Sequence, residues 1–311
     1  MAVTDIVYPA ATRSRPLVSV VIATRNRSDL VSEAIQSVLD QEHDDFDIEL
    51  VIIDDGSTDD TQAVLSEFPI DRLVVSTGVG MAGARNLGVR HSTGDFIQVL
   101  DDDDVLTPSS LASRLAVFTE HPEYGAVHGT AQMTDMDLNP VGAPIPEGDK
   151  SSGWILEDLL TYFPQIGTVL TRRIVFSETG GFLRHVDGDD WDLYLQTAQR
   201  WPIGRIDDVA MLFRQRVGLA EESQQWRRSR GNLPTFLLNT QHLPLVERIR
   251  LRPVLWRMRG WNASVFVRYA RMNWASGERA RAIRSLGYAF RWSPLHTPLN
   301  IIRIWRSPVE R

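Results

Sequence analysis

The feature that most constrains the fold of this chain is the alternation of apolar runs with amphipathic segments in its first hundred residues. Residues 17–24 (LVSVVIAT) form a valine-rich apolar run, and residues 28–41 then place apolar side chains at helical spacing. The strand-like runs that follow are residues 48–53, 73–76 and 96–100, with helix-like segments at 58–68 and 81–90. Strands this apolar are usually covered on both faces, as in a parallel sheet joined by helical crossovers. The pattern predicts an α/β fold with a mostly parallel central sheet flanked by helices.

The boundaries of the first helix and the later elements follow from local residue types. Ser28 is the expected N-cap of the first helix, since its hydroxyl can accept a hydrogen bond from a free backbone N–H. After Pro108 we expect a helix to about Glu120 and a strand near residues 125–133. From about residue 221 to the end, the sequence predicts arginine-rich helices. Residues 1–15 show no export signal pattern and are expected to form a disordered arm.

Charge is distributed unevenly along the 311 residues. The net charge is −7, yet the segment from Trp226 onward holds 17 arginines and three glutamates. The preceding part is therefore strongly acidic, which argues against nucleic acid as a partner because phosphate backbones are held by Lys and Arg. The sequence has no cysteine, which excludes disulfides and thiolate metal sites. Together with the absence of a long apolar span, this composition predicts a soluble, cytoplasmic protein that binds metals through oxygen or imidazole.

Polar residues follow the predicted strands at the point where each strand ends. The first strand leads into Ala23, Thr24, Arg25 and Asn26, the second into Asp54 and Asp55, and the fourth into four consecutive acids, Asp101 to Asp104. In an open parallel sheet, ligands bind beyond the carboxyl ends of the strands. Four adjacent carboxylates repel one another unless a counter-ion is present, so we expect a divalent cation, Mn²⁺ or Mg²⁺. The alternative is a solvated acidic turn that caps the following helix.

Side-chain alternation along an extended segment gives a finer expectation for the four acids. Asp101 and Asp103 would point to one side and Asp102 and Asp104 to the other, so that each pair has its own task.

Four blocks in the right order resemble the motifs of glycosyltransferase family 2. They are VSVVIATRNR, ELVIIDDGSTDDT, GMAGARNLGVRHSTGDFIQVLDDDDVLTP and DGDDWDLYLQ, covering residues 17–108 and resuming near 180–196. The resemblance implies a GT-A fold and inverting transfer of a sugar from a nucleotide-diphosphate donor, with UDP favoured. It implies a catalytic domain at 16–220, with a nucleotide-sugar-binding half at 16–108 and an acceptor-binding half at 109–220, followed by a helical extension at 221–311. Cell-envelope or extracellular polysaccharide or glycolipid synthesis is the implied setting.

The same resemblance assigns roles to residues around the donor. Ala23 and Arg25 match contacts to the nucleotide base, and Asp55 matches the carboxylate that reads the base. The remaining positions expected to contact the donor are Thr24, Asn26, Asp54, Arg85, Asn86, Asp101 and Asp102. Asp103 matches the direct metal ligand, with Asp101 as its paired acid. For Asn86 the alternative is a helix whose polar face lies in solvent.

The later acidic cluster of Asp187, Asp189 and Asp190 resembles the family's acidic pair, and Asp190 is the predicted general base that deprotonates the acceptor. An ordinary helix N-cap is the alternative, above all for Asp189. Where many family members carry a histidine after the last core strand, this chain has Arg216, which cannot bind a metal but can pair with phosphate. His128 and His185 are loose candidates for metal ligands.

The basic C-terminal segment interleaves arginine with six of the chain's nine tryptophans. This composition suits docking on an anionic membrane surface, beside a lipid-linked saccharide acceptor. Packing of the same helices onto their own domain is the alternative.

Two rival functions remain open. An aspartyl-nucleophile phosphatase also carries an Asp-x-Asp-x-Val motif, as at Asp101 to Val105, but normally after its first strand, and the only lysine here is Lys150. A non-catalytic nucleotide-sugar binding protein would keep Asp55 and the four acids without needing Asp190.

Overall fold

The computed structural model describes residues 14–41, 44–146, 151–160, 162, 164–183, 188–215 and 235–306. The chain divides into two compact units. The first comprises Met1–Trp154, Pro164–Arg184 and Thr197–Gln215, and the second comprises Ile155–Phe163, His185–Gln196 and Arg216–Arg311.

A single sheet organises the first unit. Its strands are β1 (Leu17–Thr24), β2 (Asp47–Asp54), β3 (Arg72–Val75), β4 (Phe96–Asp101), β5 (Val105–Leu106), β6 (Ala126–Thr134), β7 (Val169–Arg172) and β8 (Ile203–Arg214). The strand order is β3-β2-β1-β4-β7-β6-β8-β5. The block from β3 to β4 is parallel throughout, as the alternating sequence pattern predicts.

The rest of the sheet is mixed. β7 runs antiparallel to both β4 and β6, and β5 runs antiparallel to β8, whereas β6 and β8 are parallel. The predicted α/β class with a flanked central sheet is confirmed. Strands β6, β7 and β8 come from the less regular sequence after Pro108, whereas the short strand β5 lies just before it.

Helices connect the strands and continue to the end of the described chain. They are α1 (Val31–Leu39), α2 (Thr61–Leu65), α3 (Met81–His91), α4 (Ser110–Glu120), α5 (Leu156–Leu159), α6 (Arg173–Thr179), α7 (Asp189–Ala198), α8 (235–240), α9 (Leu245–Arg250), α10 (Arg252–Ala275), α11 (Arg279–Trp292) and α12 (His296–Arg306), with a 3₁₀ turn at Ile166–Thr168.

The core of the first unit lies where α1 and α4 cover the sheet. Val20 and Ile22 of β1 pack with Ile35 of α1 and Leu111 of α4, all fully buried. Gly88 of α3 lies against Val21 of β1, and a Cβ at this glycine would be 2.1 Å from the valine side chain. Close approach of α3 to the sheet therefore depends on a residue without a side chain.

The predicted N-cap of α1 is wrong. The helix begins at Val31, its N-cap position is Leu30, and that cap makes no side-chain hydrogen bond. The backbone N–H groups of Leu30 and Val31 instead donate to the carbonyl oxygen of Arg27, so a turn closed by main-chain bonds precedes the helix. Ser28 lies inside that turn.

The second unit has a helical core of its own. Ala263, Phe266 and Val267 of α10 pack with Ala289 and Trp292 of α11 and Ile304 of α12. Within the part of the chain that the structure describes, no helix combines the length and hydropathy needed to cross a bilayer.

Candidate functional site

The polar ends of β1, β2 and β4 lie side by side at one edge of the sheet. Thr24 pairs in register with Asp54 of β2, and Ala23 pairs with Asp101 of β4. The loops that follow these strands therefore open on the same edge, because the strands are parallel and end at the same level. This is the arrangement that the strand-end polar residues predict.

The four consecutive acids form a turn. β4 ends at Asp101, and the N–H of Asp104 donates to the carbonyl oxygen of Asp101 at 3.2 Å. Asp101, Asp103 and Asp104 each offer one carboxylate oxygen within 4.8 Å of the others. Asp102 instead accepts a hydrogen bond from the Thr24 hydroxyl at 2.7 Å. The predicted two-and-two alternation is wrong because the segment leaves the extended conformation after Asp101.

Arginines neutralise part of this negative charge. The Arg85 guanidinium donates to Asp101 at 2.7 Å, and Arg27 donates to Asp103 at 3.2 Å. Beside these ion pairs, Asp101 and Asp103 each still contribute one carboxylate oxygen to the three-acid cluster. The side chain of Arg85 is almost fully buried, which makes its ion pair less screened than one on the surface.

A third arginine supports the acidic turn. The backbone N–H of Arg214, the last residue of β8, donates to the Asp104 carboxylate at 3.0 Å. Its guanidinium donates to the carbonyl oxygen of Asp103 at 3.0 Å and also pairs with Glu33 of α1. These bonds link the end of β8 and helix α1 to the turn, and the Arg214 side chain that makes them is buried.

Burial makes two of the acids easier to protonate. It raises the pKa of Asp102 to about 6, against the opposing hydrogen bond from Thr24 and the charge of Arg27. For Asp104, burial and the nearby negative charges of Asp101 and Asp103 raise the pKa well above its usual value. A positive ion at this turn would favour the charged forms of these carboxyl groups.

The loops after β1 and β2 are tied together by Asn26. Its backbone N–H donates to the Ser57 hydroxyl at 2.9 Å, and its side-chain oxygen accepts from the Thr58 N–H at 2.8 Å. Asn26 has φ of 53°, a left-handed conformation that asparagine tolerates better than most residues. Asp54 closes the same loop, accepting from the Ser57 N–H and from Gln62.

Asp55 holds the segment that leads into α3. Its carboxylate accepts hydrogen bonds from the Ser76 hydroxyl, the Val79 N–H at 2.7 Å and the Gly80 N–H at 2.9 Å. Burial alone would raise the pKa of Asp55, but these bonds and the charge of Arg25 outweigh it, so the pKa lies below its usual value. Asp55 is therefore a fixed negative charge at this edge of the sheet.

Arg85 and Asn86 of α3 face the protein interior. Asn86 forms two hydrogen bonds with the backbone of Phe182, donating to its carbonyl oxygen at 2.7 Å and accepting from its N–H at 2.9 Å. Gly181 has φ of 79°, and a Cβ there would lie 2.4 Å from the Asn86 oxygen, so this contact requires glycine. The Arg85 guanidinium lies 5.7 Å from the centre of the Phe182 ring. The pair thus anchors the 180–182 turn.

In the second unit, Asp189 and Asp190 occupy the first turn of α7. The Asp190 carboxylate accepts a hydrogen bond from the Trp191 N–H at 2.8 Å, and both acids are half-buried. Asp192 is fully buried and accepts from Asn239 of α8 and Gln196, both at 2.7 Å.

Three predicted residues, Asp187, His185 and Arg216, lie outside the described residues. His128 is fully buried in β6, with its Nδ1 atom 3.2 Å from the carbonyl oxygen of Gly129. Burial, with smaller contributions from Arg205 and Arg114, lowers the pKa of His128 to about 4.

Three residues at the site were not predicted as site residues from the sequence. Arg27 follows β1 in the first of the four family-like blocks, and Arg214 lies two residues before Arg216. Asp104 was assigned to the opposite side from Asp103. Each depends on contacts between residues 76 to 111 positions apart or on a turn, which spacing alone does not reveal.

The comparisons with known proteins agree with this geometry. Residues 19–180 match the description Glycosyl transferase family 2, which covers more than half of the chain, and the fold is that of GT-A glycosyltransferases. The chain belongs to glycosyltransferase family 2. It is 30% identical over 234 residues to an uncharacterized glycosyltransferase of Rickettsia felis, covering 73% of this chain and 38% of that protein. It is 30% identical over 203 residues to chondroitin synthase of Escherichia coli, covering 62% of this chain and 28% of the synthase.

Solved structures share the fold at lower identity. Mannosyltransferase PcManGT from Pyrobaculum calidifontis, in complex with GDP-Man and Mn²⁺, matches with a TM-score of 0.61 and 20% identity, covering 94% of this chain and 81% of that one. S. aureus TarS in complex with UDP-GlcNAc matches with a TM-score of 0.58 and 15% identity, covering 94% and 93%. The chain spans less than half of the length of the Rickettsia felis and Nostoc relatives.

Proposed function

We propose that this chain transfers a sugar from a nucleotide-diphosphate donor, with a UDP-sugar as the expected donor, to an acceptor hydroxyl. The observation that carries the proposal is the convergence of Asp101, Asp103 and Asp104 at the sheet edge where β1, β2 and β4 end. Family membership and the sugar-nucleotide complexes of two structural neighbours support it.

The donor set fits a hard divalent cation. Mg²⁺ prefers oxygen ligands and is usually bound by one or two carboxylates plus substrate phosphates, and three carboxylate oxygens lie within 4.8 Å of one another here. Asp103 and Asp101 would hold Mn²⁺ or Mg²⁺, with Asp104 as a further ligand. When bound, the ion supplies positive charge to the departing diphosphate.

The chain's own residues orient the donor. We assign Ala23 and Arg25 to the nucleotide base together with Asp55, whose hydrogen bonds fix its position. We assign Asp101 or Asp102 to the ribose, and the hydroxyl of Thr24 holds the Asp102 carboxylate by a hydrogen bond. The loop of Asn26 and Asp54 keeps the first two strand ends together.

Around the diphosphate, Arg85 adds positive charge beside Asp101, and Asn86 keeps the 180–182 turn in place. Arg216, outside the described residues, is the proposed additional partner of the diphosphate.

Asp190 is the proposed general base. It accepts the proton of the acceptor hydroxyl while that oxygen attacks the anomeric carbon and the bond from this carbon to the nucleoside diphosphate breaks. A single displacement of this kind inverts the anomeric configuration and needs no covalent sugar–enzyme intermediate. Asp190 lies in the first turn of α7, where N–H groups hold the carboxylate. General-base assistance is typically worth about 10² to 10⁴ in rate.

For the acceptor we propose a saccharide or lipid-linked saccharide of the cell envelope or of an extracellular polysaccharide. The reaction is placed on the cytoplasmic side, with the enzyme peripheral on the inner face of the plasma membrane. Nucleic acid is not a proposed partner.

Two measurements test the function. The first is thermal unfolding in a panel of nucleoside diphosphates with and without Mn²⁺, in which we expect UDP to give the largest stabilisation. A ligand at a hundredfold excess over its Kd stabilises the folded state by about 2.7 kcal/mol, which such a measurement detects. No stabilisation by any nucleoside diphosphate in the presence of Mn²⁺ would contradict donor binding.

The second measurement compares Asp190→Asn with the unmodified protein. Loss of sugar transfer with donor binding intact supports catalysis, with Asp189→Asn as the control that retains transfer if Asp189 only begins the helix. Unchanged transfer by Asp190→Asn contradicts the base assignment. If the unmodified protein itself binds the donor but transfers sugar to no acceptor, the non-catalytic alternative is supported.

A further inference from the structure

Helices α9 and α10 present a row of exposed apolar side chains. Leu251 accepts from and donates to the backbone in an i to i−4 pattern, so helical periodicity continues from α9 into α10. Leu245, Ile249 and Trp256 are 68%, 49% and 50% exposed, and their spacing of four and seven residues places them on one side. Leu251 and Val254 are buried on the other side. The exposed row therefore lies on the side of α9 and α10 opposite to the side that packs within the second unit.

The start of α12 extends this row. The ring centres of Trp256 and His296 are 4.4 Å apart, and Asn300 donates to the carbonyl oxygen of Gly260 at 3.2 Å. Leu295 precedes His296 and Leu299 follows it by one turn, and each is 66% exposed. We call the five side chains Leu245, Ile249, Trp256, Leu295 and Leu299 the apolar patch.

Positive charge surrounds the apolar patch. From residue 245 to residue 306 the chain has 13 arginines and two glutamates, Glu247 and Glu278. Arg248, Arg252 and Arg257 are exposed on the turns that carry Ile249 and Trp256. Glu278 lies at the start of α11 and is within 3.8 Å of Arg281. A partner with a negatively charged surface and an apolar interior beneath it matches both features.

We infer that the apolar patch and its arginines dock the protein on an anionic lipid surface. Tryptophan and leucine would enter the headgroup and upper acyl region, while the arginines bind lipid phosphates. The helices would lie in the plane of the membrane, in keeping with the finding that none of the described helices can span it. This inference gives residues to the peripheral association proposed above and rests on that part of the proposed function.

The test is co-sedimentation of the full chain, without donor or metal, with vesicles of phosphatidylglycerol and phosphatidylcholine in equal parts and with phosphatidylcholine alone. We expect binding to the mixed vesicles at low salt, weaker binding at high salt, and little binding to phosphatidylcholine alone. Because no sugar nucleotide is present, this result is independent of whether sugar transfer occurs.

Matched variants locate the surface. Ile249→Gln should lower the partition coefficient about fivefold, since it removes roughly half of an isoleucine side chain's transfer free energy. Ile174→Gln, at an isoleucine that is 48% exposed on α6 of the first unit, should leave binding unchanged. The double variant Ile249→Gln/Leu299→Gln should lower binding by more than tenfold. Far-ultraviolet circular dichroism and thermal unfolding confirm that each variant is folded.

Several outcomes would overturn the inference. These are absence of binding to mixed vesicles at low salt, equal binding to phosphatidylcholine alone, or equal losses in Ile249→Gln and Ile174→Gln. A dimer in light scattering that Ile249→Gln dissociates, with no vesicle binding, would assign the apolar patch to a second copy of the chain instead.

Discussion

The acidic turn of the first unit and the arginine-rich helices of the second use charge in opposite ways. Asp101 to Asp104 are partly or fully buried, and each makes defined hydrogen bonds or ion pairs to Thr24, Arg27, Arg85 or Arg214. The arginines of α9 and the start of α10 are exposed and spread over successive helical turns. Buried charge requires fixed partners, whereas exposed charge is solvated and adds little to stability. The first arrangement suits a site that must hold one geometry, and the second suits a surface that meets a deformable partner.

The largest effect that this comparison predicts is on catalysis. Asp103→Asn should lower the kcat of sugar transfer roughly 10³-fold, because charge stabilisation of a leaving group by a bound cation is worth several kcal/mol. Asp137→Asn, at an exposed acid outside the site, serves as the control. The measurement is steady-state transfer in saturating Mn²⁺. A loss of less than threefold in Asp103→Asn would show that the acidic turn is a solvated cap and would remove the difference between the two regions.

The next effect is on stability. Arg85→Met should reduce the free energy of unfolding by about 3 kcal/mol, since removing one partner of a largely buried ion pair leaves Asp101 without its cation. The loss should be smaller in Mn²⁺, which would neutralise the same carboxylate. Urea unfolding with and without Mn²⁺ measures both values. Equal losses in the two conditions would argue that Asp101 does not contact the ion.

The parallel core of the first unit was predictable from the sequence because its cause is local. The apolar runs of β1, β2 and β4 are buried, and each is followed by residues that suit the end of a strand. β3 is exposed along most of its length and joins the sheet through its parallel pairing with β2. The crossovers then require parallel strands, so the common edge of Thr24, Asp54 and Asp101 follows from order alone. The residues predicted there do lie together.

The details that were wrong or missed depend on interactions that are distant in sequence. Asp104 joins Asp101 and Asp103 because a turn forms and Arg214, 110 residues away, binds its carboxylate. Ser28 does not cap α1 because the backbone of Arg27 accepts those N–H groups. In the C-terminal helices, composition predicted helices but not which side of α10 is buried, since packing of Val254 and Met258 decides that.

A smaller difference should appear in the pH dependence of stability, and it should arise from the first unit. The pKa of His128 falls from 6.5 to about 4 on folding because of burial, so the unfolded state binds a proton first. The contribution of His128 is fully present above pH 6.5 and is lost as the pH falls toward 4. Between pH 7.5 and pH 5 we expect a loss of about 2 kcal/mol from this residue. The raised pKa of Asp102 changes stability in the opposite direction. As the pH falls through about 6, the folded state binds a proton at Asp102 before the unfolded state does and gains stability.

Comparing the pH dependence of stability in the unmodified protein and in His128→Gln separates the effect of the histidine from that of the carboxyl groups. Urea unfolding at pH 7.5 and pH 5 should give a stability loss that is about 2 kcal/mol smaller in the variant. Equal losses of stability in the two proteins would show that folding does not lower the pKa of His128.

The smallest predicted effect on stability concerns the other side of the comparison. Arg252→Gln should change the free energy of unfolding by less than about 0.5 kcal/mol, because Arg252 is exposed and surface charges contribute little. The same change should weaken binding to mixed anionic vesicles about fivefold, since one arginine near such a surface is worth about 1 kcal/mol. Urea unfolding and co-sedimentation on the same preparation measure the two effects. If Arg252→Gln destabilised the protein as much as Arg85→Met, the C-terminal arginines would be structural, and binding of lipid by an exposed positive surface would lose its physical basis.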